Sequence, residues 1–168
     1  MTPAIRTLIA AMLIAAIPGC EVPMSERETP TLPPEQARAQ VVTAAREIAA
    51  ALPSPVREAW FWPGPCGDGP EFRGQMRIAY DRTASSEVSD SQIAAVMARL
   101  RASGWTDATG FRSRSATLVK NGVHAVFRAQ NASTATRGVE VLGGCGAPPG
   151  GAAPDSRPER IELGEPAG

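Results

Sequence analysis

The chain has little of what most active sites are built from. Its 168 residues include one histidine, one tyrosine and three cysteines, and aromatic residues make up only 5%. A metal centre needs several histidine, cysteine or carboxylate ligands converging. The single histidine, His124, has no motif around it and is expected as an exposed or partly covered strand residue rather than a general base. Nucleophile elbows of the G-x-S-x-G type and phosphate-binding glycine loops are missing as well. The expectation is a protein that is not an enzyme and calls for no cofactor and no metal. Charge of one sign is also lacking, with 17 basic residues against 17 acidic ones. No electrostatic pull toward nucleic acid or anionic lipid is expected from that balance. No internal repeat is evident.

A long hydrophobic run is lacking too. The apolar stretch from Leu8 to Ile17 is half the roughly 20 residues that a membrane-spanning helix needs. With Arg6 ahead of it and Gly19 and Cys20 behind, residues 1–19 read as an export signal that is removed. The tetrad Ile17-Pro18-Gly19-Cys20 resembles the lipobox of bacterial lipoproteins, although Pro18 stands where a small residue is usual. That resemblance implies diacylglycerol on the Cys20 thiol and cleavage that makes Cys20 the first mature residue. The protein would then sit at the cell membrane, lipid-anchored, on the extracytoplasmic side. One acyl chain holds a protein only marginally and two make a lasting anchor, so a diacylated cysteine suffices. Ordinary secretion, with Cys20 left free to pair, and an uncleaved apolar anchor are the alternatives.

Residues 20–34 are polar and proline-rich and are expected as a lipidated tether. Residues 35–145 are expected as a single α+β domain. Residues 146–168 are rich in proline and glycine, contain no aromatic residue, and are expected as a disordered tail. Within that tail "ERIEL" has the makings of one turn on a partner.

In the domain, Val41, Ala45, Ile48 and Leu52 recur at helical spacing and predict a helix over residues 35–52. A second helix is predicted over residues 90–103. Ser89 and Gln92 have capping-box spacing, Val88 and Ile93 that of a hydrophobic staple, and Gly104 offers a left-handed stop. Its stripe is Ile93, Val96, Met97 and Leu100. Alternation in "EFRGQMRIAYDR" puts Phe72, Met76, Ile78 and Tyr80 on a buried face, with Arg73, Gln75, Arg77 and Asp81 opposite. Asn121-Gly122 predicts a type I′ hairpin pairing Leu118 with Ala125, Ala116 with Phe127 and Val119 with His124. "GVEVLGG" is the last predicted strand.

With Cys20 assigned to lipid, Cys66 and Cys145 remain for each other in an oxidising compartment. A bridge between them requires the first and last strands to run antiparallel, because it spans only about 6 Å between Cα atoms. One further reversal, a short strand at residues 105–109 turning at Gly110, satisfies that parity. The predicted fold is α+β: two helices on one face of a mostly antiparallel sheet of about five strands, in the order α-β-α-β-β-β-β.

Trp60, Phe61 and Trp62 cluster just before Cys66. They read either as a plug for the sheet end or as a platform in which Trp60 and Trp62 share a side and meet an apolar ligand or partner. Asn131-Ala132-Ser133 matches a glycosylation sequon, a chance match in a bacterial lipoprotein. The lipobox, the Ala/Arg helix "ARAQVVTAAREIAAALP", "PCGDG" opening a strand and a cysteine closing the last one resemble LppA-like lipoproteins of actinobacteria. The resemblance implies attachment to the envelope and nothing biochemical. The functional expectation is a non-catalytic binding or structural module that meets the membrane through Cys20 and another envelope protein beyond it. The alternative is a carrier that holds a small apolar or lipid ligand between helices and sheet.

Overall fold

A computed structural model describes residues 30–109, 115–130 and 133–164. The expected signal segment, Cys20, the first ten residues of the expected tether, Gly110 and Asn131 lie outside them.

Helix α1 runs Pro34–Ala51, with a proline in its first turn, where the missing N–H costs nothing. Of the predicted stripe Val41, Ala45 and Ile48 are completely buried, while Leu52 falls just past the helix as its C-cap and is partly buried. The helix lies close on the sheet: a Cβ at Gly74 would collide with the Ala37 carbonyl oxygen. Helix α2 runs Ser86–Ala102, four residues earlier than the sequence suggests. Its cap is Ser85, whose hydroxyl accepts from the Val88 N–H at 3.3 Å. Ser89 and Gln92 do not form the expected capping box. Both instead accept hydrogen bonds from the buried Arg137, at 3.3 and 2.7 Å. Val88 is 44% exposed, which leaves the staple unmade. The predicted stop does form. Gly104 takes φ 93°, and its N–H and that of Trp105 donate to the carbonyls of Arg101 and Leu100 at 3.0 and 3.1 Å.

The strands are β1 (Val56–Pro65), β2 (Phe72–Asp81), β3 (Thr106–Asp107), β4 (Ala116–Lys120), β5 (Val123–Phe127), β6 (Thr136–Leu142) and β7 (Glu159–Arg160). They form one antiparallel sheet of seven strands in the order β3-β4-β5-β6-β2-β1-β7. The fold is α+β with two helices, as expected, but the sheet has two more strands than the predicted five. The hairpin register is the predicted one at all three pairs. Asn121 and Gly122 both take positive φ, 50° and 76°.

The first extra strand, β1, contains Pro63 and Pro65, which argue against a strand in sequence. It tolerates them because β7 covers it only at Trp60 and Phe61, so both prolines lie on open edge where no ladder N–H is needed. The second extra strand lies in the segment expected as a disordered tail. There Glu159–Arg160 pairs with β1, the Ile161 N–H donates to the Ala59 carbonyl at 2.9 Å, and Ile161 is buried. Arg38 of α1 holds this strand through two bonds to Glu159, at 3.0 and 2.6 Å. One buried isoleucine and one ion pair order the segment, and composition alone shows neither. The end of the expected tether is likewise held: Thr31 bridges Ala147, and the Leu32 N–H donates to the Ala147 carbonyl at 2.8 Å.

Both helices pack on one face of the sheet. Their stripes join Met76, Ile78, Tyr80, Leu118, Ala125, Phe127, Val139 and Val141 in a single core closed by Trp105 and Ile161. Among the described residues no helix covers the opposite face.

Candidate functional site

Strand alternation sorts the aromatic cluster. Ala59 and Phe61 point into the core, so Glu58, Trp60 and Trp62 stand on the helix-free face. Pairing with β2 sets Trp60 beside Arg77 and Trp62 beside Gln75. Pairing with β7 sets Arg160 on the other flank of Trp60. The Trp60 indole Nε1 donates to the Glu58 carboxylate at 3.3 Å, which orients the ring. Both tryptophans are half-buried. With Arg77, Ser156 and Pro158 they line an open, shallow, mostly apolar cleft of about 500 Å³. Phe61 is buried in the core, while Trp60 and Trp62 share the outward side of β1.

The wall formed by Ser156 and Pro158 was beyond sequence reasoning, because it depends on β7 bringing the tail back to the sheet. Arg77 was legible as a residue of the wet face, but nothing marked it as part of a site. It makes no ion pair among the described residues. Its cross-strand neighbour Glu140 is engaged by Arg128 instead, at 2.6 Å.

A second cleft of about 490 Å³ adjoins the first and shares Arg77. It is lined by polar side chains, among them Ser115, Arg128, Thr134, Thr136 and Glu140.

His124 lies on this same face, half-buried, with Val119 and Leu142 as cross-strand neighbours. Burial lowers its pKa from the usual histidine value, and the Arg73 charge lowers it further. Among the described residues no three His, Cys, Asp or Glu side chains converge to hold a metal, and no helix is long and apolar enough to cross a membrane.

Cys66 and Cys145 form a disulfide with their Cα atoms 5.9 Å apart. Cys66 lies ahead of β2 and Cys145 after β6, and these strands are paired antiparallel, which brings the two sulfurs to one pole of the sheet. Thr31 bridges Ala147 at that same pole, so the chain leading from Cys20 enters the domain beside the disulfide.

The fold and the bridge thus describe a small disulfide-closed α+β domain of the kind found in exported proteins. The chain belongs to the family described as "Putative lipoprotein LppJ", whose model matches residues 33–148, well over half of the chain. That assignment bears out a lipoprotein family, while the model that matches is LppJ rather than the LppA-like one suggested by the order of elements. No curated protein and no solved structure matches the chain significantly.

Proposed function

We propose that the protein is a non-catalytic binding module, held on the extracytoplasmic side of the cell membrane by lipid on Cys20, that takes a ligand or envelope partner on its helix-free face. Membership of a lipoprotein family supports the anchor. So does the resemblance of its signal and element order to actinobacterial LppA-like lipoproteins. The observation that carries the binding role is the outward pair Trp60 and Trp62 in a cleft of about 500 Å³. Small-molecule sites are concave and mostly apolar, with a few placed polar groups, and Arg77 and Ser156 supply those here.

The test is capture from envelope extracts by the full protein, beside a Trp60→Ala/Trp62→Ala double variant of unchanged thermal stability. Material retained by the wild type and lost by the variant supports the reading. Equal retention by both proteins, or none by either, sinks it. Catalysis is addressed separately: a broad substrate screen is expected to show no turnover, and turnover lost in His124→Ala would overturn the non-catalytic assignment.

A further inference from the structure

The two clefts of the helix-free face meet at one side chain. Arg77 lines both the aromatic cleft with Trp60 and Trp62 and the polar one with Arg128, Thr136 and Glu140. We infer that they form one elongated site for an acidic oligosaccharide, which stacks on the indoles and places a carboxylate on Arg77. This deepens the proposed binding role of Trp60 and Trp62 and rests on it.

Several observations point to this chemistry. Trp60 and Trp62 are two residues apart in one strand, so their rings stand roughly 7 Å apart on the same side. That arrangement offers two flat apolar surfaces in a row, which the C–H faces of successive sugar rings match. The cleft is shallow and open, so an occupant keeps one side in water. A hydroxylated ring tolerates that exposure, whereas an acyl chain does not. The adjoining cleft presents hydroxyl and charged groups beside its apolar surface, which suits a ligand that carries polar groups along its length.

Charge then selects an acid over a neutral sugar. Arg77 is exposed and makes no ion pair among the described residues, because Arg128 holds Glu140 at 2.8 Å from Nε and 2.6 Å from Nη2. Four residues before it on the same face of β2, Arg73 has a buried Nε without a hydrogen-bond acceptor. Glu58, beside the indoles, accepts a hydrogen bond from Trp60 Nε1. A guanidinium free of acid is suited to accept a carboxylate through paired N–H donors. The concave setting also disfavours a membrane surface as the occupant. Among the described residues the one large hydrophobic side chain that is exposed is Val88, on α2, whereas both indoles are half-buried and do not protrude to enter a bilayer.

The test titrates the full protein, purified from membranes in detergent, with uronate- and muramate-bearing tetrasaccharides, each beside its carboxyl-reduced form. Tryptophan fluorescence reports the site, since Trp105, the third tryptophan, is 2% exposed and does not respond to a surface ligand. The expected result is binding of at least one acid, weakened roughly tenfold or more by carboxyl reduction and by Arg77→Gln, the range of a charge-assisted hydrogen bond. Trp60→Ala abolishes the fluorescence change and the binding seen by calorimetry. Equal affinity for acid and reduced forms overturns the acidic class while leaving the indole platform in place. No response to any member of the panel overturns the saccharide assignment. In that case an envelope component whose capture depends on Trp60 and Trp62 would still leave the proposed binding role standing.

Discussion

Arg137 carries a full charge into a site only 3% exposed beneath α2, and no carboxylate lies within ion-pair distance of it among the described residues. Its donors go to the Asp81 carbonyl at 2.9 Å, the Ser89 hydroxyl and the Gln92 side-chain carbonyl, and its plane stacks 4.5 Å from the Tyr80 ring centre. Removing it leaves two polar partners of α2 unpaired. Arg137→Ala is expected to lower stability by about 2–4 kcal/mol in urea unfolding. Arg137→Lys should restore little of this, because an ammonium lacks the planar fork and stacks poorly. An unchanged midpoint in Arg137→Ala would show that the network does not hold α2. Sequence reading missed this site for a physical reason: Ser89 and Gln92 have the spacing of a cap, and a cap is the commoner use of it.

Below neutral pH, His124 and the carboxylates with lowered pKa values give the fold a pH dependence of one sign, and Glu47, bonded to Lys120 and Trp105, has the least exposed setting among those carboxylates. His124 has a pKa lowered by burial and by Arg73. The unfolded chain therefore takes up the proton first, and stability falls as pH drops below the usual histidine value near 6.5. Glu47 has a pKa lowered by hydrogen bonds from Lys120 at 2.8 Å and from Trp105 Nε1 at 3.0 Å. Its contribution is present above the ordinary value of 4.5 and is lost as pH falls through the lower folded value. Unfolding midpoints between pH 8 and pH 3 should thus decline in two stages. His124→Gln should flatten the upper stage, and Glu47→Gln should reduce the lower, to which Asp81, Glu87, Asp107 and Glu159 also contribute through their own lowered pKa values. A His124→Gln protein with the wild-type slope between pH 7 and pH 5 would contradict the first assignment.

At the scale of elements, legibility followed how local the determinants are. The hairpin was readable to the register because Asn121-Gly122 and the alternation around it act within a dozen residues. The buried stripes of both helices were readable for the same reason. β1 and β7 were not, for different reasons: β1 pairs with its sequence neighbour β2 but carries two prolines that only an uncovered edge tolerates, whereas β7 depends on the distant β1 and exists only because Ile161 reaches the core. The Trp60 and Trp62 pair was legible as a cluster, whereas its cleft was not, since one wall comes from the tail. Truncation after residue 157 should therefore destabilise the domain by roughly 2–3 kcal/mol, mostly through loss of Ile161. Ile161→Ser should reproduce most of that loss, and a disordered tail would show neither effect. Ser85→Ala is expected to cost about 1 kcal/mol through the lost cap of α2.

For the molecule as a whole, the disulfide closes the same pole at which Thr31 bridges Ala147. Cys66 and Cys145 are 79 positions apart, and closing a loop of that length stabilises a fold by roughly 4 kcal/mol in the chain-entropy model. A Cys66→Ala/Cys145→Ala variant should lose most of this, measured by urea unfolding. With lipid on Cys20, as proposed, the ten residues between Cys20 and Thr31 would set the distance of the domain from the membrane, at most about 35–40 Å when extended.

The anchor is the premise on which the envelope role stands, and intact mass tests it most directly. The protein is recovered from membrane fractions and weighed before and after reduction, beside a Cys20→Ser variant. The account predicts a mature chain beginning at Cys20 and carrying acyl groups, a gain of two hydrogens on reduction, and loss of both lipid and membrane association in the variant. An unlipidated chain beginning at another residue, or a variant that remains in the membrane fraction, would contradict it.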